Sequence, residues 1–131
     1  MWETYDMENE DLLWAGIPFM AGISGHQNAP CGAISAATVG LGLKFRCSIA
    51  DKEKAKKARN DARNYAGKLV AGFSKKFGDI TCGGLLGLDF SKSGEYAKFR
   101  ESGVWKDTCE KYVAHIIAEL YKFEQDPQAT N

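Results

Sequence analysis

Along the middle of the chain, apolar residues return at steps of three and four: Ala55, Ala58, Ala62, Tyr65, Ala66, Leu69, Val70, Phe73 and Phe77. That period puts them on one face of a long helix. Lys54, Lys56, Lys57, Arg59, Asn60 and Lys68 fall mostly outside it. The spacing predicts a helix over 49–77, with Ser48 and Asp51 as a capping pair and Gly78 as its stop. Near the C-terminus, Cys109, Tyr112, Val113, Ile116, Ile117 and Leu120 predict a second amphipathic helix over 108–124, with Asp107 and Glu110 placed as a capping box.

A different pattern occupies residues 30–43. Pro30 suits the first helical position, and the interior is almost all small: Gly32, Ala33, Ser35, Ala36, Ala37, Gly40 and Gly42. Its glycines weaken the intrinsic propensity, so this helix makes sense as a central, buried one that neighbours approach closely. Residues 3–23 predict a first helix disturbed at Pro18, followed by a loop over 25–29. Thr81 can cap a short helical turn through Leu86, and 89–104 reads as loop with a short helix over 96–101. The end, 125–131, reads as a disordered tail. No segment alternates apolar and polar residues over a useful length, so no strand is expected. The expectation is an all-α, compact single-domain helical bundle of about four to five helices with a small-residue central helix, covering 1–124.

Composition fits that picture. A chain of 131 residues, 44% hydrophobic, can bury a core without disulfides. Its 17 basic and 17 acidic residues cancel, but unevenly. Glu3, Asp6, Glu8, Glu10 and Asp11 crowd the start, and no Lys or Arg precedes Lys44. From Lys44 to Lys76, 11 basic residues meet 3 acidic ones. Such a segment is either a nucleic-acid face or the solvated side of a helix. The zero net charge favours the second, so nucleic acid is not expected as a partner. No secretory signal is written in the acidic start, and no run of about 20 apolar residues could span a membrane. A cytoplasmic location follows as the expectation, where four cysteines read as thiols or ligands before structural disulfides.

The cysteine gaps are 16, 35 and 27 residues, with no CxxC, so neither a thioredoxin-type nor a knuckle-type zinc site is written locally. Three cysteines share a location, however. Cys31 follows Pro30, Cys82 follows Thr81 and Cys109 follows Asp107 closely, so each falls in the first turn of a predicted helix. Free backbone N–H groups and the positive end of the helix dipole favour thiolate there. Cys109 lies in the middle of the apolar face of the last helix and points inward. If Cys31 and Cys82 do too, the three converge on one pocket. Taken singly, each also reads as a small buried hydrophobe.

Cys47, beside Arg46 and near Lys44, lies outside a helix and is a lesser candidate. His26, in the loop before Cys31, is another. His115 lies about 120 degrees from Cys109 on its helix and is expected at the surface. No paired carboxylates for acid–base work stand out. "GLGLKF" and "GGLLGLD" match no phosphate-binding loop.

Taken together, "PCGAISAATVGLGLKF", "FGDITCGGLLGLDF" and "WKDTCEKYVAHIIAEL" resemble the redox-active proteins named for a C…GCAxxG…C…C cysteine pattern. The resemblance covers residues 12–120 and implies an all-helical fold of about this size. Cys31, Cys82 and Cys109 fall on the GCA, third and fourth cysteine positions. No cysteine precedes Cys31; Pro30 stands where the pattern has glycine, and Gly32 where it has alanine. A similar domain accompanies haem in split-Soret cytochromes, where an iron–sulfur cluster is found. The resemblance therefore implies a cluster or another metal ion, or redox thiols with no cofactor. An iron–sulfur site takes four ligands, and the fourth place is open to Cys47, His26, an exogenous ligand or a second chain in a homodimer.

The sequence thus points to a redox-active cysteine protein. Cys31, Cys82 and Cys109 serve as redox thiols or metal ligands, with an unidentified redox or electron-transfer partner and an oxidoreductase role left open. The alternative is a helical interaction or structural module with inert buried cysteines, in which Trp2, Trp14, Phe19 and Met20 form an association face.

Overall fold

The computed structural model describes residues 10–125. Trp2, the acidic residues before Glu10, the first part of the first predicted helix and nearly all of the predicted tail lie outside them. Eight helical segments follow one another: α1 (Asp11–Gly16), α2 (Met20–Ile23), α3 (Gly32–Lys44), α4 (Lys52–Phe77), α5 (Cys82–Leu86), α6 (Glu95–Ser102), α7 (Val104–Asp107) and α8 (Cys109–Glu124), with a 3-10 turn at Ile17–Phe19. No strand forms among the described residues. A single antiparallel bridge pairs Pro30 with Thr81.

The core is where three helices meet. Ile34, Ala37 and Leu41 of α3, Tyr65, Leu69 and Phe73 of α4, and Ile116 and Leu120 of α8 form one buried cluster. The small-residue helix is central, as expected, packing on α4, on α8 and on the N-terminal turn. Ala37 is fully buried, though no neighbour closes on Gly42. Aromatic rings tie the layers together, with Phe45 stacked on Tyr65 and Phe77 edge-on to Tyr112.

Helix ends follow local chemistry, with shifts of a residue or two from expectation. Asp51, not Ser48, is the N-cap of α4, accepting from Lys54 N–H at 3.1 Å. Gly78 ends that helix at φ 83, as a left-handed C-cap. Pro30 lies before α3 instead of inside it, because its segment is held in the bridge, and Cys31 becomes the N-cap. The capping box expected at Asp107 does not form. Asp107 ends the short α7, and Thr108 leads α8 without a side-chain cap.

The first predicted helix departs most. It breaks at Pro18, as anticipated, and then winds the wrong way: Ala21 (φ 47), Gly22 (φ 59), Ile23 (φ 61) and Ser24 (φ 51) are all left-handed. Left-handed backbone costs an L-residue roughly 1–2 kcal/mol, and a β-branched residue there is an outlier. Ser24 N–H and Oγ both donate to Pro18 O, at 3.0 and 3.1 Å, and Gln27 N–H donates to Ala21 O at 3.1 Å. These bonds hold the turn shut.

Candidate functional site

The bridge places two of the three cysteines. Cys31 N–H donates to Ile80 O at 2.7 Å and Cys82 N–H donates to Ala29 O at 3.2 Å, on either side of the Pro30–Thr81 pair. In such a ladder the residues flanking the pair share one face, so Cys31 and Cys82 are diagonal neighbours, with Cα atoms about 7–8 Å apart and Cβ atoms somewhat closer. Each chain then turns directly into a helix, with Cys31 as the N-cap of α3 and Cys82 as the first residue of α5.

The loop before Cys82 is fixed by one carboxylate. Asp79 Oδ1 accepts from Ile80 N–H (2.6 Å), Thr81 N–H (2.7 Å) and Thr81 Oγ1 (2.9 Å). Those bonds hold the Asp79 carboxyl below the ordinary range. Thr81 Oγ1 in turn accepts from Gly84 N–H at 3.1 Å and caps α5.

Cys109 begins α8, half-buried, with Thr108 Oγ1 3.9 Å from its sulfur. Tyr112, one turn on, donates its hydroxyl to Leu85 O at 3.2 Å, tying α8 to the helix that Cys82 begins. The three thiols occupy one electrostatic neighbourhood: Cys109 acts on Cys31, and both Cys31 and Cys109 act on Cys82. All three cysteines thus stand at helix starts, as the sequence led us to expect.

At Cys31 and Cys82 ionisation runs opposite to expectation. Burial is the largest influence on Cys31 and pushes its thiol up. The amides of Ala33 and Ile34 at the start of α3 pull it down, and Cys109 adds to the rise. Cys82 is also pushed up, first by burial and then by the neighbouring thiols, against a lowering contact from Gln27. The helix-start amides are present at Cys31, but desolvation of the thiolate outweighs them.

The remaining candidates lie elsewhere. Cys47 is exposed beyond the far end of α3, and the 13 residues of that helix separate it from Cys31 by about 20 Å. It lines a separate groove with Phe45, Ile49 and Arg59. His26 is exposed in its loop. His115, expected at the surface, is only 13% exposed, lying against Phe73 and Phe77 with Lys76 Nζ 3.1 Å from Nδ1. Among the described residues, no group of three His, Cys, Asp or Glu side chains is placed to hold a metal ion. As placed, the thiols do not fit the cluster or metal that the resemblance implied.

Two residues at the site escaped the sequence reading. Tyr112 had been assigned to the apolar face of its helix, with no signal for its hydroxyl. Gln27 had none at all: a loop glutamine reads as solvated, yet only 6% of it is exposed.

The described residues define a protein of the all-α class, with three of its cysteines at helix starts. The chain belongs to the family described as "Putative redox-active protein (C_GCAxxG_C_C)", whose model matches residues 1–123. No curated protein and no solved structure matches it.

Proposed function

We propose that the protein exchanges electrons through its thiols, with Cys31 and Cys82 cycling between dithiol and disulfide and Cys109 as a third thiol beside them. The observation that carries this reading is the Pro30–Thr81 bridge, which sets Cys31 and Cys82 on one face of two paired segments, so that closing the disulfide requires only a small backbone shift to bring their Cα atoms within about 7 Å. Cys31 is half-buried, whereas Cys82 is 8% exposed, so Cys31 is the sulfur an outside partner reaches. In oxidation, the Cys31 thiolate attacks a partner disulfide. A mixed disulfide forms and one partner thiolate leaves. The Cys82 thiolate then attacks the Cys31 sulfur, the intramolecular disulfide forms, and the second partner thiolate leaves. The partner disulfide is reduced to two thiols and the protein loses two hydrogens. Raised thiol pKa values make the pair slow to attack and its disulfide slow to open, which suits a reducing couple.

The test is equilibration in glutathione redox buffers, followed by peptide mass mapping. Loss of two hydrogens should map to a Cys31–Cys82 link that Cys82→Ser abolishes. Three thiols that stay reduced in oxidised glutathione would sink the reading. A brown protein with iron and labile sulfide, purified without air, would replace it with the cluster reading.

A second reading, a helical interaction module with inert thiols, draws on the exposed apolar start of the chain, where Trp14 is 70% and Met20 55% exposed. A second copy in a homodimer would cover those residues. Sedimentation showing a dimer with no thiol oxidation would favour it. No helix among the described residues is long and apolar enough to cross a membrane.

A further inference from the structure

Gln27 is built into the fold in a way that a loop residue rarely is. Its backbone is left-handed, at φ 61. Its N–H donates to Ala21 O at 3.1 Å and its C=O accepts from Gly83 N–H at 2.9 Å, next to Cys82. Its side chain reaches a segment distant in the chain, where Oε1 accepts from Phe90 N–H at 2.6 Å. A backbone N–H can only donate, so the atom that meets Phe90 must be the oxygen, and this fixes the orientation of the amide. The other end, Nε2, is buried without a hydrogen-bond partner. The Cys82 thiol feels this amide as a lowering influence, and Gln27 Cα and Cys82 Cβ each stand 3.0 Å from where a Cβ on Gly22 would lie.

A buried amide N–H left unpaired costs free energy of the order of a lost hydrogen bond, about 1–3 kcal/mol. A neutral thiol repays little of that, because it is a weak acceptor. A thiolate is a strong one, and bonds to charged acceptors are roughly twice as strong as neutral ones.

We propose that Gln27 is the positioning residue of the cysteine site: clamped by Phe90, it keeps one buried N–H in reserve for the charge that appears on Cys82 when the Cys31–Cys82 disulfide is opened. This inference rests on the thiol–disulfide reading and assigns direction within it. An external thiolate attacks the accessible Cys31 sulfur and a mixed disulfide forms. The Cys31–Cys82 bond breaks, and its electron pair goes to Cys82 as thiolate, which the Gln27 amide receives. A second external thiolate then releases Cys31 by attacking the partner's sulfur in the mixed disulfide, and both cysteines take up protons. The reductant is a dithiol or two thiols, which leave as a disulfide.

Lowering the energy of the departing thiolate speeds the opening. It does not move the equilibrium at neutral pH, where the raised Cys82 thiol is protonated once released. A residue that merely propped the loop would alter both.

The experiment uses the full chain and two variants. Gln27→Met keeps length and volume without a donor, and Gln27→Glu keeps an oxygen for Phe90 N–H while replacing the donor. Three quantities are read: the rate of disulfide reduction by dithiothreitol, the glutathione equilibrium at pH 7, and the ionisation midpoint of each cysteine. The midpoints come from 13Cβ shifts in cysteine-labelled protein and cover Cys31, Cys82 and Cys109, with Asp79 and Tyr112 as the other ionisable groups around them.

Both variants should slow reduction by about fivefold or more and raise the Cys82 midpoint by about one unit. The equilibrium should stay within about twofold. Folded variants with wild-type rate and midpoint overturn the assignment, as does an equilibrium that shifts as much as the rate. If the wild-type chain forms no Cys31–Cys82 disulfide, the redox reading falls separately, and the Cys82 midpoint alone still decides the role of Gln27.

Discussion

At Gly22 the demands of backbone and packing coincide. Its φ of 59 lies in the region L side chains avoid, and an added Cβ would stand 2.6 Å from Ala29 O and 3.0 Å from Cys82 Cβ. The glycine lets the left-handed turn lie flat on the cysteine. Gly22→Ala is expected to cost about 3 kcal/mol, from left-handed strain together with overpacking, read as a lower urea midpoint at unchanged slope. Ile23 next to it has the reverse problem, with φ 61 and a side chain 48% exposed. Ile23→Gly should stabilise the protein by about 1 kcal/mol in the same measurement, because it removes the strain and gives up little packing.

Among elements, the long α4 and the short α5 were the most legible. A sustained apolar stripe ending in glycine, and a threonine before a run of small residues, are local signals, and local chemistry decided them. Three features were not legible, each because a neighbour in space decides it. The turn at Ala21–Ser24 uses three residues that no propensity places in left-handed backbone, and it is held by Pro18 O and Gln27. His115 was assigned correctly on its own helix but not relative to the aromatic rings of α4, which a helical wheel does not contain. Val113 and Ile117 were expected on the buried face, yet they are 46% and 47% exposed, because α3 and α4 cover only the Ile116–Leu120 side.

The start of α5 also gives a pH prediction. Asp79 ionises more readily in the folded chain than in the unfolded one, so its contribution is complete above the unfolded value. It is lost as pH falls through the lower, folded value. Acid unfolding below about pH 4 should therefore be steeper for the wild type than for Asp79→Asn, and the stability gap between them at neutral pH should close. Parallel acid titrations followed by circular dichroism check this.

For the molecule as a whole, the four cysteines form a graded series: Cys47 exposed, Cys31 and Cys109 half-buried, Cys82 buried. Timed alkylation of the native protein should label Cys47 first, Cys31 and Cys109 more slowly, and Cys82 only as fast as the fold opens. Cys82 labelled alongside Cys47 would mean that the turn over it is not seated. The place of three cysteines at helix starts was legible in the sequence. The rise in pKa at Cys31 and Cys82 was not, because burial belongs to the assembled core. The Pro30–Thr81 bridge joins segments that lie on opposite sides of α3 and α4 in the chain. On the ribosome, Cys31 and Cys47 therefore emerge long before Cys82 and Cys109 exist. The bridge cannot close until all of α4 has been made, and until then the nearest thiol to Cys31 along the chain is Cys47. A reducing environment during synthesis would keep Cys31 from pairing with Cys47 before Cys82 has been made.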